Sequence, residues 1–254
     1  MNRRNYILFF TFLVLALTSQ TKNDWTKAEK AEIIAAYQKA CDWFVRNNSY
    51  SFNLNYTSYK DHLSKEIIES SNGYYKRSSN KFVSHIMGIK TIQNSTARIV
   101  IDSSDKLIAI TDPGSLNPTL ANTEQLTEML NNVKGLKKRV SNEGVTYKID
   151  FLKNSLFDSY EFSVDKSGLL DKLVYFYSEQ EDKDYGGETD DGHLPITSKI
   201  KPRLEVVFSK YQYPIKANSN DFEIKGLVLA DNRKISLNDN FKSYSVKDYR
   251  TIKK

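Results

Sequence analysis

From Tyr50 onward the apolar residues of this chain recur at every second position. Phe52, Leu54 and Tyr56 share one side of an extended segment, and Ser51, Asn53 and Asn55 share the other. A period of two is the mark of a half-buried strand, because successive side chains of an extended backbone point to opposite faces. The pattern returns at residues 67–75, 81–87, 89–92, 97–101 and 107–111, with polar turns at Ser78-Ser79-Asn80 and Ser103-Ser104-Asp105-Lys106. It resumes at 145–151, 159–164, 169–177 and 203–211, with Leu204, Val206 and Phe208 on one side and Asp165-Lys166-Ser167-Gly168 as a tight hairpin turn. Short strands joined by tight turns predict an antiparallel meander, in which consecutive strands are neighbours.

Two stretches follow the helical period instead. Ile33, Tyr37, Ala40, Cys41 and Phe44 recur at helical spacing, with Thr26 and Glu29 as an expected capping box and Asn47-Asn48-Ser49 as the stop. A second helix is predicted over 123–134, with Leu126, Met129, Leu130 and Val133 as its apolar stripe and Gly135 as its end. The basic cluster Lys134, Lys137, Lys138 and Arg139 then reads as a solvated helix end, where cations are favoured. Short segments at 222–224 and 227–229 and a polar tail holding Ile235, Leu237, Phe241, Tyr244 and Val246 complete the chain.

The first residues read as an address. Arg3 and Arg4 precede ILFFTFLVLAL at residues 7–17, and Thr18, Ser19 and Gln20 follow. A basic start, a short apolar run and a small-residue exit predict a secretory signal peptide over residues 1–19. Residues 20–254 are then expected to form one domain, since no Gly/Ser- or Pro-rich linker divides them. Export removes two of the charges behind the formal +6. It also argues against ATP, NAD or nucleic acid as partners, and the modest basic excess fits solubility or an anionic membrane surface.

Catalytic patterns are missing from the sequence. His62, His85 and His193 stand at no metal-ligand spacing, the single Cys41 falls in an apolar stripe, and no GxSxG elbow or phosphate loop occurs. The acidic stretch 179–192 holds seven carboxylates against Lys183. Its spacing departs from an EF-hand where Gly186 replaces a ligand, so it reads as a solvated, mobile loop. No enzyme activity, metal or cofactor is expected.

The order of elements resembles the LolA/LolB-like family of periplasmic lipoprotein carriers. The residues that carry the resemblance are the first helix ending in Phe44-Val45, the strand 51–56, and Asn72-Gly73-Tyr74-Tyr75-Lys76-Arg77, which is similar to the family's G-x-Y-K hairpin. Ala97-Arg98-Ile99-Val100-Ile101-Asp102, Lys106-Leu107-Ile108 and a helix inserted within 120–139 add to it. The loop 179–192 and the tail after Asp221 stand as additions, which points to a divergent member. The Lys-, Asn- and Tyr-rich composition resembles that of Bacteroidota-type bacteria.

The resemblance implies an α+β fold: one large curved antiparallel sheet, an unclosed barrel, whose concave face is covered by the N-terminal and inserted helices. It implies a non-enzymatic carrier in the periplasm, or secreted, of a Gram-negative envelope. The carrier would hold a lipid or lipoprotein acyl chain and meet a membrane surface or envelope proteins transiently. Phe52, Leu54 and Tyr56 would form the cavity wall, and Ile33, Tyr37, Leu126 and Met129 the lid. The alternative is a structural or scaffolding envelope protein that binds a protein partner through a sheet edge.

Overall fold

The computed structural model describes residues 24–114, 123–153, 155–181, 199–223, 227–229 and 235–251. The leader, His193 and most of the acidic stretch lie outside them. The chain begins with β1 (Thr26–Lys27) and α1 (Lys30–Arg46). A meander follows: β2 (Ser49–Tyr59), β3 (Ile67–Ser78), β4 (Lys81–Ile86), β5 (Ile89–Gln93), β6 (Arg98–Asp102) and β7 (Leu107–Thr111). Next come α2 (Thr123–Met129), β8 (Val133–Val140), β9 (Gly144–Phe151), β10 (Phe157–Asp165) and β11 (Leu170–Tyr177). The last elements are β12 (Gln180–Glu181), β13 (Lys199–Ile200), β14 (Arg203–Gln212), β15 (Leu227–Leu229), β16 (Ile235–Leu237) and β17 (Ser245–Asp248).

Thirteen strands make one sheet in the order β1-β8-β9-β10-β11-β14-β2-β3-β4-β5-β6-β7-β17. Its ends, β1 and β17, do not pair with each other, so the sheet is unclosed. Every neighbouring pair is antiparallel except β17 on β7. The α+β half-barrel expected from the sequence is the fold observed.

Register explains which residues face the helices. One row runs Tyr56, Val206, Leu173, Phe162, Tyr147, Lys138, Thr26 across seven strands. Ile33, Tyr37, Ala40, Cys41 and Phe44 of α1 pack onto this face, and all five are buried. The adjacent row, Thr57, Glu205, Val174, Glu161, Lys148, Lys137, Lys27, faces the other way. It is laced by ion pairs that link Lys148 to Glu161 at 3.0 Å and Lys172 to Glu205 at 2.6 Å, as suits a face turned to water.

Beyond β3 the apolar face changes sides. Val83, Ile92, Ile99 and Ile110 form a row on the outer face, away from α1. Ile101 and Ile108 lie on that face too. The C-terminal tail covers them: Ile235, Leu237, Phe241, Tyr244 and Val246 pack over Ala97, Ile99, Ile101, Ile108 and Ile110, while Phe222 and Ala217 pack over Val83 and Ile92. The tail is thus the outer half of a second core and not an appendage.

Three expectations need correction. Thr26 and Glu29 form no capping box: Thr26 belongs to β1, and α1 starts at Lys30 with Glu29 as N-cap, without a side-chain cap bond. The second helix ends at Met129, not Lys134, and Gly135 lies within β8. The basic cluster is therefore no helix end. Lys137 and Lys138 sit in β8 and pair with Asp150 and Glu32, and Arg139 lies over the Trp25 ring at 4.8 Å. Pairing with β9 outweighs a helical spacing that runs on for only one further turn.

Candidate functional site

All seven residues expected to line a cavity are brought together between α1, α2 and the sheet. Ile33, Tyr37, Phe52, Leu54 and Leu126 are buried within the main core; Tyr56 and Met129 are half-buried against it. Leu54 is 2% exposed and stands between Phe208 and Gly73 in register. At Gly73 a Cβ would sit 2.5 Å from the His85 carbonyl oxygen, which accounts for a glycine inside this strand. The five buried residues are close-packed with their neighbours. The margin of the face is partly exposed, where Tyr56, Tyr175, Leu204, Phe151 and Met129 remain half-buried.

Polar groups thread this apolar core. The Tyr37 hydroxyl bonds with Cys41 and Tyr160, and Tyr160 with Tyr175. Burial pushes the Cys41 thiol up to about 12, helped by the Asp42 charge, so it stays a neutral, small apolar group, as its position in the stripe suggested. Burial likewise raises Tyr56 to about 12 and holds Tyr160 well above the usual phenol range. These groups are neutral hydrogen-bonding groups at neutral pH and offer no general base.

This margin lies toward one end of the strands. Hairpins β2–β3, β4–β5, β6–β7 and β9–β10 all turn at this end, because β11 ends and β14 begins there (Phe176 opposite Arg203, Arg203 opposite Tyr59). Large apolar side chains stand exposed along it: Leu63, Ile67, Ile68, Met87, Ile89, Leu152 and Leu156. Five strand spacings of ~4.8 Å separate the β10 and β4 ends, so the rim spans roughly 24 Å. Single exposed leucines are ordinary; seven large apolar side chains gather on this one edge.

The loop that carries Leu63, 92% exposed, is held firmly. The Arg203 guanidinium donates to the carbonyls of His62 and Ser64, on either side of Leu63. It also pairs with Glu205 at 3.0 Å and lies 4.0 Å from the centre of the Tyr59 ring. His62 Nε2 donates to the Tyr177 carbonyl at 2.8 Å, and the Leu63 N–H donates to Asp61 Oδ1 at 3.3 Å. Sequence reasoning passed over this rim, because turn residues carry no periodic signal. The cluster LSKEII at residues 63–68 was the visible hint.

Among the described residues no group of His, Cys, Asp and Glu is placed to hold a metal ion. His85 lies in β4 opposite Tyr74, with its ring 6.2 Å from the Tyr74 ring.

No family model and no curated protein matches the chain. Solved structures do. A LolA superfamily protein from Nitrosomonas europaea is 12% identical with a TM-score of 0.29, over 75% of this chain and 97% of that one. An outer membrane lipoprotein-sorting protein domain from Vibrio parahaemolyticus is 12% identical with a TM-score of 0.26, over 73% and 95%. LprF from Mycobacterium bovis is 8% identical with a TM-score of 0.31, over 74% and 96%. Likeness at this level carries no argument about function, and the Bacteroidota-type source finds no support in it. The chain is similar to these structures at that level.

Proposed function

We propose that this protein is a non-enzymatic carrier of lipid or lipoprotein acyl chains in the cell envelope. The observation that carries the reading is the coincidence, at one end of the sheet, of a partly exposed apolar margin and a rim of exposed apolar side chains. An acyl chain would lie over Tyr56, Tyr175, Leu204 and Met129, beside the close-packed core that holds Phe52, Leu54, Ile33, Tyr37 and Leu126. Burying an acyl chain gains about 0.8 kcal/mol per CH₂. A chain of about fourteen carbons then contributes on the order of 10 kcal/mol before the costs of association. Leu63, Ile67 and Ile68 would meet the membrane surface or the envelope protein that hands the chain over. The leader at residues 1–19 fits export to the periplasm or beyond.

The scaffold reading finds less support. The end strands of the large sheet are short, two residues in β1 and four in β17, which limits strand addition at its two ends. A fluorescent fatty acid titrated into the exported protein tests the carrier reading. Saturable binding that is lost in Tyr56→Glu supports it; no binding, or unchanged binding in that variant, overturns it.

A further inference from the structure

The outer face holds a second candidate site, independent of the acyl mouth. After the irregularity between Ser209 and Gln212, the chain leaves β14 and crosses the outer face of β2 and β3. It is pinned on both sides. Ser49 Oγ donates to the Ile215 carbonyl at 3.0 Å, and Lys76 Nζ pairs with Asp221 Oδ2 at 2.6 Å. Asp221 also accepts from the Asn218 N–H at 2.8 Å. Between this crossing and the strands beneath lies a groove of about 650 Å³. Asn53, Tyr74, Lys76, Gln212, Tyr213 and Lys216 are among its lining residues.

Its chemistry is specific. The Tyr74 ring stands on the floor, 37% exposed, and Tyr213 stands at the crossing chain with its ring 6.2 Å from Trp43. Asn53 and the Tyr74 hydroxyl make no hydrogen bond among the described residues, so an amide and a phenol are available to a ligand, whereas the Tyr213 ring is turned to Trp43 of α1. The floor offers no backbone edge to an extended peptide, since β2 is paired on both sides and so is β3. A flat aromatic face beside amide and ammonium groups suits a ring with apolar C–H faces and a girdle of hydroxyls. The volume falls within the ordinary small-ligand range of roughly 300–1,000 Å³.

We propose that this groove binds a short saccharide. Tyr74 stacks on a sugar ring, and Asn53, Gln212 and Lys76 hydrogen-bond the substituents. In an envelope the same chemistry arises from the glycan strands of the wall or from the core sugars of lipopolysaccharide. The test titrates chitotetraose and, separately, a lipopolysaccharide core oligosaccharide into the ¹⁵N-labelled exported protein. Saturable shifts of the Asn53, Tyr74 and Gln212 amides are expected with one of the two, and which one identifies the source. Tyr74→Ala and Asn53→Ala should each weaken binding about tenfold, equivalent to about 1.4 kcal/mol, with the circular dichroism spectrum and fatty-acid binding unchanged. Should Tyr74→Ala lose structure, Tyr74→Leu, which keeps an apolar side chain and removes the ring, and Asn53→Ala carry the test. Absence of shifts with both sugars at millimolar concentration, or equal affinity in Asn53→Ala and in the folded Tyr74 variant, overturns the proposal. Neither result bears on the acyl mouth, which lies on the opposite face.

Discussion

Glutamate placed at Leu54 and at Tyr56 should have opposite consequences, although the two residues are neighbours on one strand face. Leu54 is 2% exposed and close-packed within the main core. Leu54→Glu forfeits about 2–3 kcal/mol of leucine burial. It also buries a carboxylate with no partner, at a cost of several kcal/mol more. Together these approach the 5–15 kcal/mol that typically separates folded from unfolded states. The buried carboxyl can relieve part of the cost by staying protonated. Its folded pKa would be raised, so the penalty is largest at neutral pH and shrinks as the pH falls toward the ordinary carboxylate range. Tyr56 is half-buried at the open margin, so a glutamate there can reach water and should cost only about 1–2 kcal/mol. Urea unfolding followed by far-UV circular dichroism at pH 7.5 and pH 4.5 measures both. Leu54→Glu should be unfolded or nearly so at pH 7.5 and partly rescued at pH 4.5, with Tyr56→Glu folded at both. A Leu54→Glu protein with the urea midpoint of the parent would refute the close-packed core and place a hollow behind β2.

Three further outcomes follow from particular contacts. Arg203→Ala removes the donors that hold the carbonyls of His62 and Ser64, so it should cost about 2 kcal/mol and speed hydrogen exchange of the 61–66 amides selectively; uniform exchange across the sheet would contradict that role. Truncation before Ile235 uncovers Ile99, Ile101, Ile108 and Ile110; a loss of about 4 kcal/mol should lower Tm by roughly 10 °C, at about 2–4 °C per kcal/mol, and a Tm within a degree or two of the parent would show the tail to be dispensable. The Lys138 side chain, bonded to Glu32 Oε1 at 2.7 Å, holds that carboxyl below its ordinary 4.5, with a smaller bond from Tyr147. This contribution is present above pH 4.5 and lost as the pH falls through the depressed value, so Lys138→Gln should lower the urea midpoint slightly at pH 7, by an amount that shrinks as the pH falls below 4.5.

Much of the sheet was legible because its strands alternate. In α1 and β2 the residues expected inside, Ile33, Tyr37, Phe44, Phe52 and Leu54, are the residues found inside. Three features escaped for physical reasons. In β8, Val133, Leu136 and Val140 are spaced three and four apart, which matches a helix turn as well as an edge strand bordered by lysines. The change of apolar face beyond β3 lies in register, not in any one strand: Ile99 and Ile101 alternate whichever way they point. The covering residues Ile235, Leu237, Phe241, Tyr244 and Val246 are isolated in a polar tail and become meaningful only against that second face. At the candidate site, the wall residues were legible by period, whereas Leu63, Ile67 and Ile68 with their support from Arg203 depend on contacts across about 140 positions of sequence.

The carrier reading stands or falls on what the protein holds when it leaves the cell that made it. Native mass spectrometry of full-length protein exported to the periplasm and purified without detergent reads this directly. The account predicts a mature mass that begins near Gln20, together with a second population heavier by the mass of one lipid or acylated species, and loss of that population in Tyr56→Glu. A single bare mass under gentle ionisation, unchanged after incubation with lipid vesicles, would contradict it.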